Sequence, residues 1–270
     1  MTVPANRRPA ALITGASVGI GAALAQVFAA NGHELLLVAR REQLLAKLAD
    51  AIAAAGRPQP HFVALDLTAP GATGRIASEL AARGLEPEYI VNNAGFGLLG
   101  EAIRLDRSEQ LSMIDLNVRV VAELSLAFLD SLARRRGGIL NVGSVASFLP
   151  GPGMGSYYAS KAFVLSFTEA LHQELVAQGI RVTVLCPGPV PTEFQARAGI
   201  KNVLHSDVLA CSAEYVAAAG YAGLMKGQRL VVPGLGNKLV TLLPRILPRG
   251  FFLRQAAKAL LRQAQPVKKS

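Results

Sequence analysis

Short apolar runs alternate with longer segments of helical period along most of the chain. Several of the short runs, such as ELLLVA at 34–39 and VTVLC at 182–186, are almost entirely apolar. A strand that is apolar on both faces needs helices on both sides, as in a parallel sheet. The pattern therefore predicts repeated βαβ units in an α/β fold, with one doubly wound parallel sheet of seven strands.

The bounds of the predicted strands and helices are the residues at which each apolar run or each helical spacing of apolar residues begins and ends. Strands are predicted at 10–14, 34–39, 61–65, 89–92, 138–142, 181–185 and 229–232. Helices are predicted at 20–31, 42–55, 73–83, 108–134, 156–178 and 213–225. Because the sequence has no repeat or linker before residue 233, we expect one domain over 1–233 and an extension over 234–270.

The composition excludes several classes of protein. Hydrophobic residues make up 51% of the chain, which excludes a disordered protein. Cys186 and Cys211 are too few for a disulfide framework and the four histidines share no ligand spacing, so we expect a reducing compartment and no metal site. The sequence has neither a signal peptide nor a run of 18 uncharged apolar residues, which predicts a soluble or peripheral cytoplasmic protein.

The formal net charge of +10 comes from the C-terminal part of the chain. Residues 215–270 hold 10 of the 28 Lys and Arg residues and none of the 18 Asp and Glu residues. A nucleic-acid-binding arm would be supported by arginines interleaved with aromatic residues or by a zinc spacing. This segment has neither pattern and is rich in apolar residues, so we expect no nucleic-acid partner.

Apolar residues recur at helical spacing in the extension, with a break near Pro248 and Gly250. They predict two short basic amphipathic helices, with the stripes Leu239, Leu242, Leu243, Ile246, Leu247 and Phe252, Leu253, Ala256, Ala257, Leu260, Leu261. Such a stripe usually buries against protein, so we favour packing on the core, on a cleft or on a second subunit. The alternative is peripheral contact with the inner face of an anionic membrane.

A glycine-rich turn, TGASVGIG at 14–21, joins the first predicted strand to the first predicted helix. Gly15, Gly19 and Gly21 allow backbone N–H groups to approach a phosphate closely, and the helix N-terminus adds partial positive charge. The turn therefore predicts a site for a pyrophosphate.

Two arginines stand at the end of the second predicted strand. In a dinucleotide-binding unit, a carboxylate at this place binds the ribose 2′-OH, whereas an arginine accommodates a 2′-phosphate. Arg40 and Arg41 occupy it, and Glu42 is the nearest carboxylate. The sequence therefore favours NADP(H) over NAD(H), the alternative being a solvated pair of arginines that opens the next helix.

The stretch GSYYASKAF at 155–163 carries a candidate acid on a predicted helix. Tyr157 and Lys161 are four residues apart, and Tyr158 and Lys161 are three apart. Both spacings place the two side chains on one helix face. The spacing alone leaves open which tyrosine is reactive.

Six motifs in chain order carry a more specific signal. They are the glycine loop spaced G-x-x-x-G-x-G, NNAG at 92–95, Asn117 in DLNV, Ser144 in NVGSVAS, YYASK at 157–161 and CPGPVPT at 186–192. Together they resemble the short-chain dehydrogenase/reductase family, and within it the bacterial ketoreductase-like branch. The resemblance runs from about residue 10 to 233 and implies a Rossmann-type fold. It also implies an oxidoreductase that interconverts a ketone or aldehyde and an alcohol by hydride transfer, for which Arg40 and Arg41 favour NADP(H) as the cofactor.

The same resemblance implies roles for individual residues. Its Y-x-x-x-K motif falls on Tyr157 and Lys161, with Ser144 thirteen residues before the tyrosine, which makes Tyr158 a packing or cleft-lining neighbour. Asn117 would hold a proton-relay water, unless it satisfies backbone groups at a helix bend. The implied cofactor-binding residues are Gly15, Ser17, Gly19, Ile20, Gly21, Arg40, Arg41, Asp66, Leu67, Asn93, Ala94, Gly95, Tyr157, Lys161, Pro187, Gly188, Val190 and Thr192.

The expected chemistry depends on the acidity of Tyr157. A carbonyl that accepts a hydride needs a proton on its oxygen, and a free tyrosine, with a pKa near 10, is poorly matched to neutral pH. A neighbouring ammonium favours the phenolate, so we expect Lys161 to lower the pKa of Tyr157. Tyr157 would then act as acid in reduction and as base in oxidation, while Ser144 donates to the substrate oxygen.

The substrate and the partners are less constrained. The substrate loop would span about 189–212, and its scattered charges predict an apolar pocket and a hydrophobic ketone or acyl-type substrate. Members of the family are usually homo-oligomers, so we expect a homodimer or homotetramer formed through the helices at 108–134 and 156–178. A non-catalytic NADP(H)-binding sensor or a membrane-recruited scaffold is the alternative function.

Overall fold

The computed structural model describes residues 7–200, 209–246 and 249–264. In these residues one parallel sheet has the strand order β3-β2-β1-β4-β5-β6-β7. The strands are β1 (Arg8–Thr14), β2 (Glu34–Ala39), β3 (His61–Ala64), β4 (Leu85–Asn92), β5 (Gly138–Val142), β6 (Arg181–Leu185) and β7 (Leu230–Val231). The strand order reverses between β1 and β4, where the carboxyl ends of a doubly wound sheet open a ligand crevice. The predicted fold class is confirmed.

Helices cover both faces of the sheet. They are α1 (Gly19–Ala30), α2 (Glu42–Ala54), α3 (Ala72–Ala82), α4 (Arg107–Ile114), α5 (Val120–Ala127), α6 (Leu129–Arg135), α7 (Gly155–Leu175), α8 (Glu193–Ala198), α9 (Ala213–Met225), α10 (Leu235–Ile246) and α11 (Arg249–Ala264). The single helix predicted at 108–134 was wrong as one element. It is divided by a π-helical turn, Asp115–Arg119, and again at Phe128.

The core is divided into two layers by the sheet. Leu35 and Leu37 of β2 pack in the layer beneath α1, whereas Leu36 and Val38 pack in the layer on the opposite face. None of the four is more than 1% exposed. Burying such a side chain is worth about 1.5–3 kcal/mol, so the continuous apolar run of β2 is stabilised from both sides.

The extension forms the two predicted helices, with the break between α10 and α11. Leu247 and Pro248, at the predicted break, and residues 201–208 of the predicted substrate loop lie outside the described residues. In the described part of the chain, none of the helices has the length and apolar character needed to cross a membrane. The division into a domain and an extension at residue 233 stays a prediction.

Candidate functional site

A cavity of about 570 Å³ lies at the carboxyl edge of the sheet. Its lining includes the predicted catalytic and cofactor-binding residues with two exceptions, Gly21 and Asn117. Those two residues lie directly behind the lining, against Gly15 and Gly95 respectively. The topology therefore brings together residues from almost every βα connection of the chain.

The glycine turn is shaped for close backbone approach. Gly15 has a φ of +63°, in the left-handed region, and a Cβ there would lie 2.8 Å from the Cα of Ala94. A Cβ on Gly21 would overlap the carbonyl oxygen of Gly15 and the amide nitrogen of Asn93. A side chain at either position would fill space that the turn and α1 need, so the residues present fit a pyrophosphate at the helix N-terminus.

Thr14 and Asn93 join the ends of β1 and β4 at the switch point. The Thr14 hydroxyl donates to Val91 O at 3.2 Å and accepts from the backbone N–H groups of Asn93 at 3.1 Å and Ala94 at 3.2 Å. Asn93 Nδ2 donates to Thr14 O at 3.0 Å and to Gly15 O at 3.1 Å. Sequence reasoning missed Thr14, although a polar residue that ends an apolar strand next to the glycine turn is a usable signal.

Arg41 connects two walls of the cavity. Its guanidinium lies 2.8 Å from the carboxylate of Glu193 at the start of α8, and its Nη2 donates to Ser17 Oγ at 3.4 Å. Arg40 lies beside it and is exposed. The two arginines therefore place positive charge at the end of β2, where a 2′-phosphate would lie.

The carboxylate of Asp66 accepts hydrogen bonds within the loop that follows β3. It accepts hydrogen bonds from the backbone N–H of Thr68 at 2.9 Å and from the Thr68 hydroxyl at 2.7 Å. The backbone hydrogen bond is the main reason that the pKa of Asp66 is lowered, with the side-chain bond and Arg40 acting in the same direction. The bonds fix the loop that follows β3, with Leu67 beside it in the cavity lining.

Ser144 and Ser147 have different environments. The Ser144 hydroxyl accepts from the Ala146 N–H at 3.1 Å, while the Ser147 hydroxyl accepts from the Ser144 N–H at 3.3 Å. The pair forms a capping box on the short 3₁₀ turn Val145–Phe148. Ser147 is buried in a capping role, whereas Ser144 lines the cavity.

Tyr157 lies at the cavity wall and is only 9% exposed. Burial raises the pKa of Tyr157, and the hydrogen bond with the Ser144 side chain opposes that rise without cancelling it. The expectation that Lys161 lowers the pKa of Tyr157 was therefore wrong for this structure. Desolvation of the phenolate is the larger effect, because removing a charge from water disfavours the ionised form.

Lys161 is also buried, with its Nζ donating to Val142 O at 2.8 Å. Burial lowers the pKa of Lys161 to about 8. Its Nζ lies 6.0 Å from the centroid of the Tyr157 ring. The ammonium is therefore near the phenol, on the same helix, but its hydrogen bond is to the end of β5.

Tyr158 packs beside Tyr157 in an edge-on arrangement, with the two ring centroids 6.0 Å apart. Its ring lies against Gly151, where a Cβ would overlap the ring carbons. Burial raises the pKa of Tyr158 too, but no Ser144 hydrogen bond opposes the rise. The geometry is that of a packing and cavity-lining residue.

Asn117 occupies the π-helical turn between α4 and α5 and is fully buried. It accepts from Phe96 N at 3.2 Å, and its Nδ2 donates to Phe96 O at 2.9 Å and to Ser160 Oγ at 3.1 Å. A Cβ on Gly95 would lie 2.9 Å from its Oδ1 and 3.6 Å from Lys161 Nζ. The amide thus holds the β4 loop and α7 together beside Lys161.

The helix α8 closes the cavity from the far side. Thr192 caps it, and the Phe194 ring centroid lies 5.3 Å from that of Tyr157. The Arg197 guanidinium lies 4.0 Å over the Phe96 ring, and burial, followed by the nearby Arg40, lowers its pKa. Sequence reasoning missed Phe194, Arg197 and Phe96, because their meeting depends on how α8 packs and not on a local motif.

Comparisons with known proteins agree with this geometry. A family model described as short chain dehydrogenase matches residues 9–202. The chain is 37% identical over 214 residues to sulfoacetaldehyde reductase 2 of Chromohalobacter salexigens, covering 76% of this chain and 84% of that protein. It is 29% identical over 236 residues to a 3-oxoacyl-acyl-carrier-protein reductase of Salmonella typhimurium, covering 83% of this chain and 95% of that protein.

Solved structures show the same fold over nearly the whole chain. A short-chain dehydrogenase from Sphingobium yanoikuyae in complex with NADPH is similar with a TM-score of 0.77 at 30% identity, covering 97% of this chain and 100% of that one. A bulky-bulky ketone specific alcohol dehydrogenase from Comamonas testosteroni gives a TM-score of 0.73 at 27% identity, covering 98% of each chain. The chain belongs to the short-chain dehydrogenase/reductase family and is an oxidoreductase of that family.

Proposed function

We propose that this protein uses NADP(H) to interconvert a ketone or aldehyde and an alcohol, with Tyr157 as the general acid and base. The observation that carries the proposal is that Ser144, Tyr157 and Lys161 meet in one cavity lining with the glycine turn. Two relatives are named as reductases, and one similar structure was solved with NADPH.

The cavity offers a place for each part of the cofactor. The glycine turn would hold the pyrophosphate, Arg40 and Arg41 the 2′-phosphate, and the loop with Asp66 the adenine. The remaining contacts would come from Ser17, Ile20, Leu67, Asn93, Ala94, Gly95, Pro187, Gly188, Val190 and Thr192. When bound, the nicotinamide supplies the hydride chemistry that no side chain can supply.

Tyr157 is suited to give a proton in the reduction direction. Because burial raises its pKa, the phenol stays protonated at neutral pH. It can then transfer its proton as negative charge develops on the carbonyl oxygen. The reverse reaction requires a phenolate, which is favoured by positive charge nearby, and Lys161 is the nearby cation.

Ser144 would fix the oxygen of the substrate. Its hydroxyl oxygen accepts from Ala146 N, so its O–H, which faces the Tyr157 hydroxyl, is the donor that a substrate oxygen would meet. A donor that is held in place before the reaction stabilises developing negative charge at no reorganisation cost. Asn117 would be a positioning residue for the catalytic side chains. Its amide would hold the Phe96 backbone and Ser160 in place beside Lys161.

The substrate we propose is apolar near its carbonyl group. Around Tyr157 the cavity is lined by Phe96, Ala146, Met154 and Phe194. Such a lining favours apolar substituents, with Ser144 and Tyr157 as the few polar anchors. The similar Comamonas enzyme is named for ketones with two bulky groups.

A test of the function compares two single-atom changes on neighbouring residues. Consumption of NADPH is followed with a panel of ketones, aldehydes and ketoacyl thioesters. Tyr157→Phe should lower kcat by about 10²- to 10⁴-fold, the usual contribution of a positioned acid, with NADPH binding retained. Tyr158→Phe is the matched control and should keep most of the activity. Comparable turnover in Tyr157→Phe would overturn the assignment.

The alternative is a non-catalytic NADP(H)-binding sensor or a membrane-recruited scaffold. The alternative has one specific observation in its favour, the exposed apolar face of α10. Leu235 is 83%, Leu239 61% and Leu242 48% exposed. Liposome flotation of the full chain at physiological salt tests membrane recruitment, which is rejected if the protein stays in the soluble fraction.

A further inference from the structure

The helix α11 reaches the candidate active site from the end of the chain. Leu260 is part of the lining of the same cavity as Tyr157. It packs on the cluster formed by Phe96, Met113, Ala146, Met154 and Tyr157. The side chain is therefore near the phenol, although it is 103 residues away along the chain.

A second contact holds α11 against the turn before α7. A Cβ on Gly153 would lie 3.1 Å from Leu261 Cδ2 and 3.8 Å from Leu260 Cβ. Because Gly153 has no side chain, the turn presents its bare backbone to the helix, and its φ of +84° is one that glycine adopts readily. This close approach fixes the position at which Leu260 enters the cavity.

The described side chains of α11 divide into two faces. Ala256, Ala257, Leu260 and Leu261 are half-buried, whereas Arg254, Gln255 and Lys258 are exposed. Positions four apart lie on the same face of a helix, so the half-buried residues form one stripe toward the protein. Of the predicted apolar stripe, these four residues thus face the protein, whereas Leu253 is exposed and the charges of Arg254 and Lys258 are in solvent.

The helix α10 anchors the other end of the extension. Asn237 is 1% exposed, and its Nδ2 donates to Pro233 O at 2.8 Å and to Leu209 O at 3.1 Å. Its amide lies directly against Gly188, so that a Cβ on Gly188 would overlap it. In the extension, α10 therefore lies beside the predicted nicotinamide end of the cavity, and α11 lies at the end of the cavity where the substrate would bind.

We infer that α11 forms one wall of the substrate pocket and that Leu260 makes an apolar contact with the group beside the reacting carbonyl. The inference rests on the proposed function, because it names the substrate end of that site. The substrate class it selects is a carbonyl compound with a bulky apolar substituent, such as an aryl ketone. Together, Leu260, Met154 and Phe194 would enclose that substituent.

The experiment compares Leu260→Ala and Leu260→Trp with Leu253→Ala on the same helix, where Leu253 is 37% exposed. Each variant is assayed with an aryl ketone and with a small dialkyl ketone, and its NADPH affinity is measured separately. Leu260→Ala should raise KM for the aryl ketone about tenfold, since lost apolar contact of this size is worth about that factor. Leu260→Trp should reject the aryl ketone and keep the small one.

The NADPH affinity and the Leu253→Ala variant distinguish a failure of the Leu260 inference from a failure of the proposed reductase function. NADPH affinity should match that of the parent protein in all three variants, and Leu253→Ala should match the parent with both ketones. If both Leu260 variants match Leu253→Ala with the aryl ketone, the inference is wrong while the reductase assignment stands. If no ketone is turned over at all, the aryl ketone is titrated by calorimetry into the NADPH complexes of the parent protein and of Leu260→Ala. Weaker binding to Leu260→Ala would support the inference, and equal binding would contradict it.

Discussion

The guanidinium of Arg41 and the carboxylate of Glu193 form a 2.8 Å ion pair that joins the end of β2 to the start of α8. The same guanidinium is one of the two that would bind a 2′-phosphate. Glu193 and the phosphate would therefore compete for one cation. Both side chains are about half exposed or more, at 47% and 61%, so the pair itself adds little stability.

We predict that Arg40 and Arg41 decide the preference between NADPH and NADH. Arg40→Ala and Arg41→Ala should each weaken NADPH binding by about tenfold or more, because a hydrogen bond to a charged group is worth about 1.5–3 kcal/mol. The affinity for NADH, which has no 2′-phosphate, should hardly change. Fluorescence titration of both cofactors measures this, and an equal loss for both would contradict the prediction.

Glu193→Gln is the matched variant for the ion pair. It keeps the size of the side chain and frees Arg41 from its partner. We expect NADPH to bind more tightly, by up to about fivefold, which corresponds to the loss of a surface ion pair. Weaker NADPH binding in Glu193→Gln would show that the pair holds α8 in place and does not compete with the cofactor.

The rate of carbonyl reduction should fall as Lys161 loses its proton, because the phenolate that forms when Tyr157 gives up its proton then has no ammonium near it. Burial lowers the pKa of Lys161 to about 8, so its ammonium is present below that pH and is lost above it. Because burial raises the pKa of Tyr157, the phenol stays protonated through this range. We predict that kcat/KM is level below about pH 8 and then declines tenfold per pH unit.

Lys161→Arg provides the control for this pH profile. An arginine keeps its charge across the range, so the decline near pH 8 should disappear even if the variant is slower. A decline that persists at the same pH in Lys161→Arg would assign it to another group.

We predict that Gly21→Ala damages both stability and cofactor binding. Its Cβ would overlap the Gly15 carbonyl and the Asn93 amide, and overpacking of this kind costs about 1–3 kcal/mol. The melting temperature should fall and NADPH should bind at least about tenfold more weakly. Gly74→Ala, in α3 with no atom within 4 Å of its new Cβ, should instead leave binding unchanged and stabilise the protein slightly.

The oligomer is predicted to form through the helices that carry exposed apolar side chains near the site. Leu111 is 51% and Ile114 41% exposed on α4, one turn apart. Leu111→Glu combined with Ile114→Glu should convert a dimer or tetramer to a smaller species in light scattering. Leu239→Glu on α10 is the control, and dissociation by that variant alone would move the interface to the extension.

Much of the fold was predictable from local pattern. The run 35–39 is apolar at every position, which only a strand buried on both faces needs, and its leucines enter both core layers. At Asn117 the sequence offered a helix bend as one of two readings, but the π-helical form of the turn was not predictable, because the apolar period continues through it. In that turn the Asn117 side chain hydrogen-bonds Phe96 and Ser160, which are distant in the sequence.

The sequence by itself determined the parallel sheet, the glycine turn and the spacing of Ser144, Tyr157 and Lys161, because periodicity and backbone freedom are properties of neighbouring residues. Only the tertiary structure decided the direction of the Tyr157 pKa, since burial depends on everything packed around the phenol. It likewise decided that Arg41 meets Glu193 and that Leu260 meets the cavity. Those contacts join residues far apart in the chain, and only the packing of the whole fold brings them together.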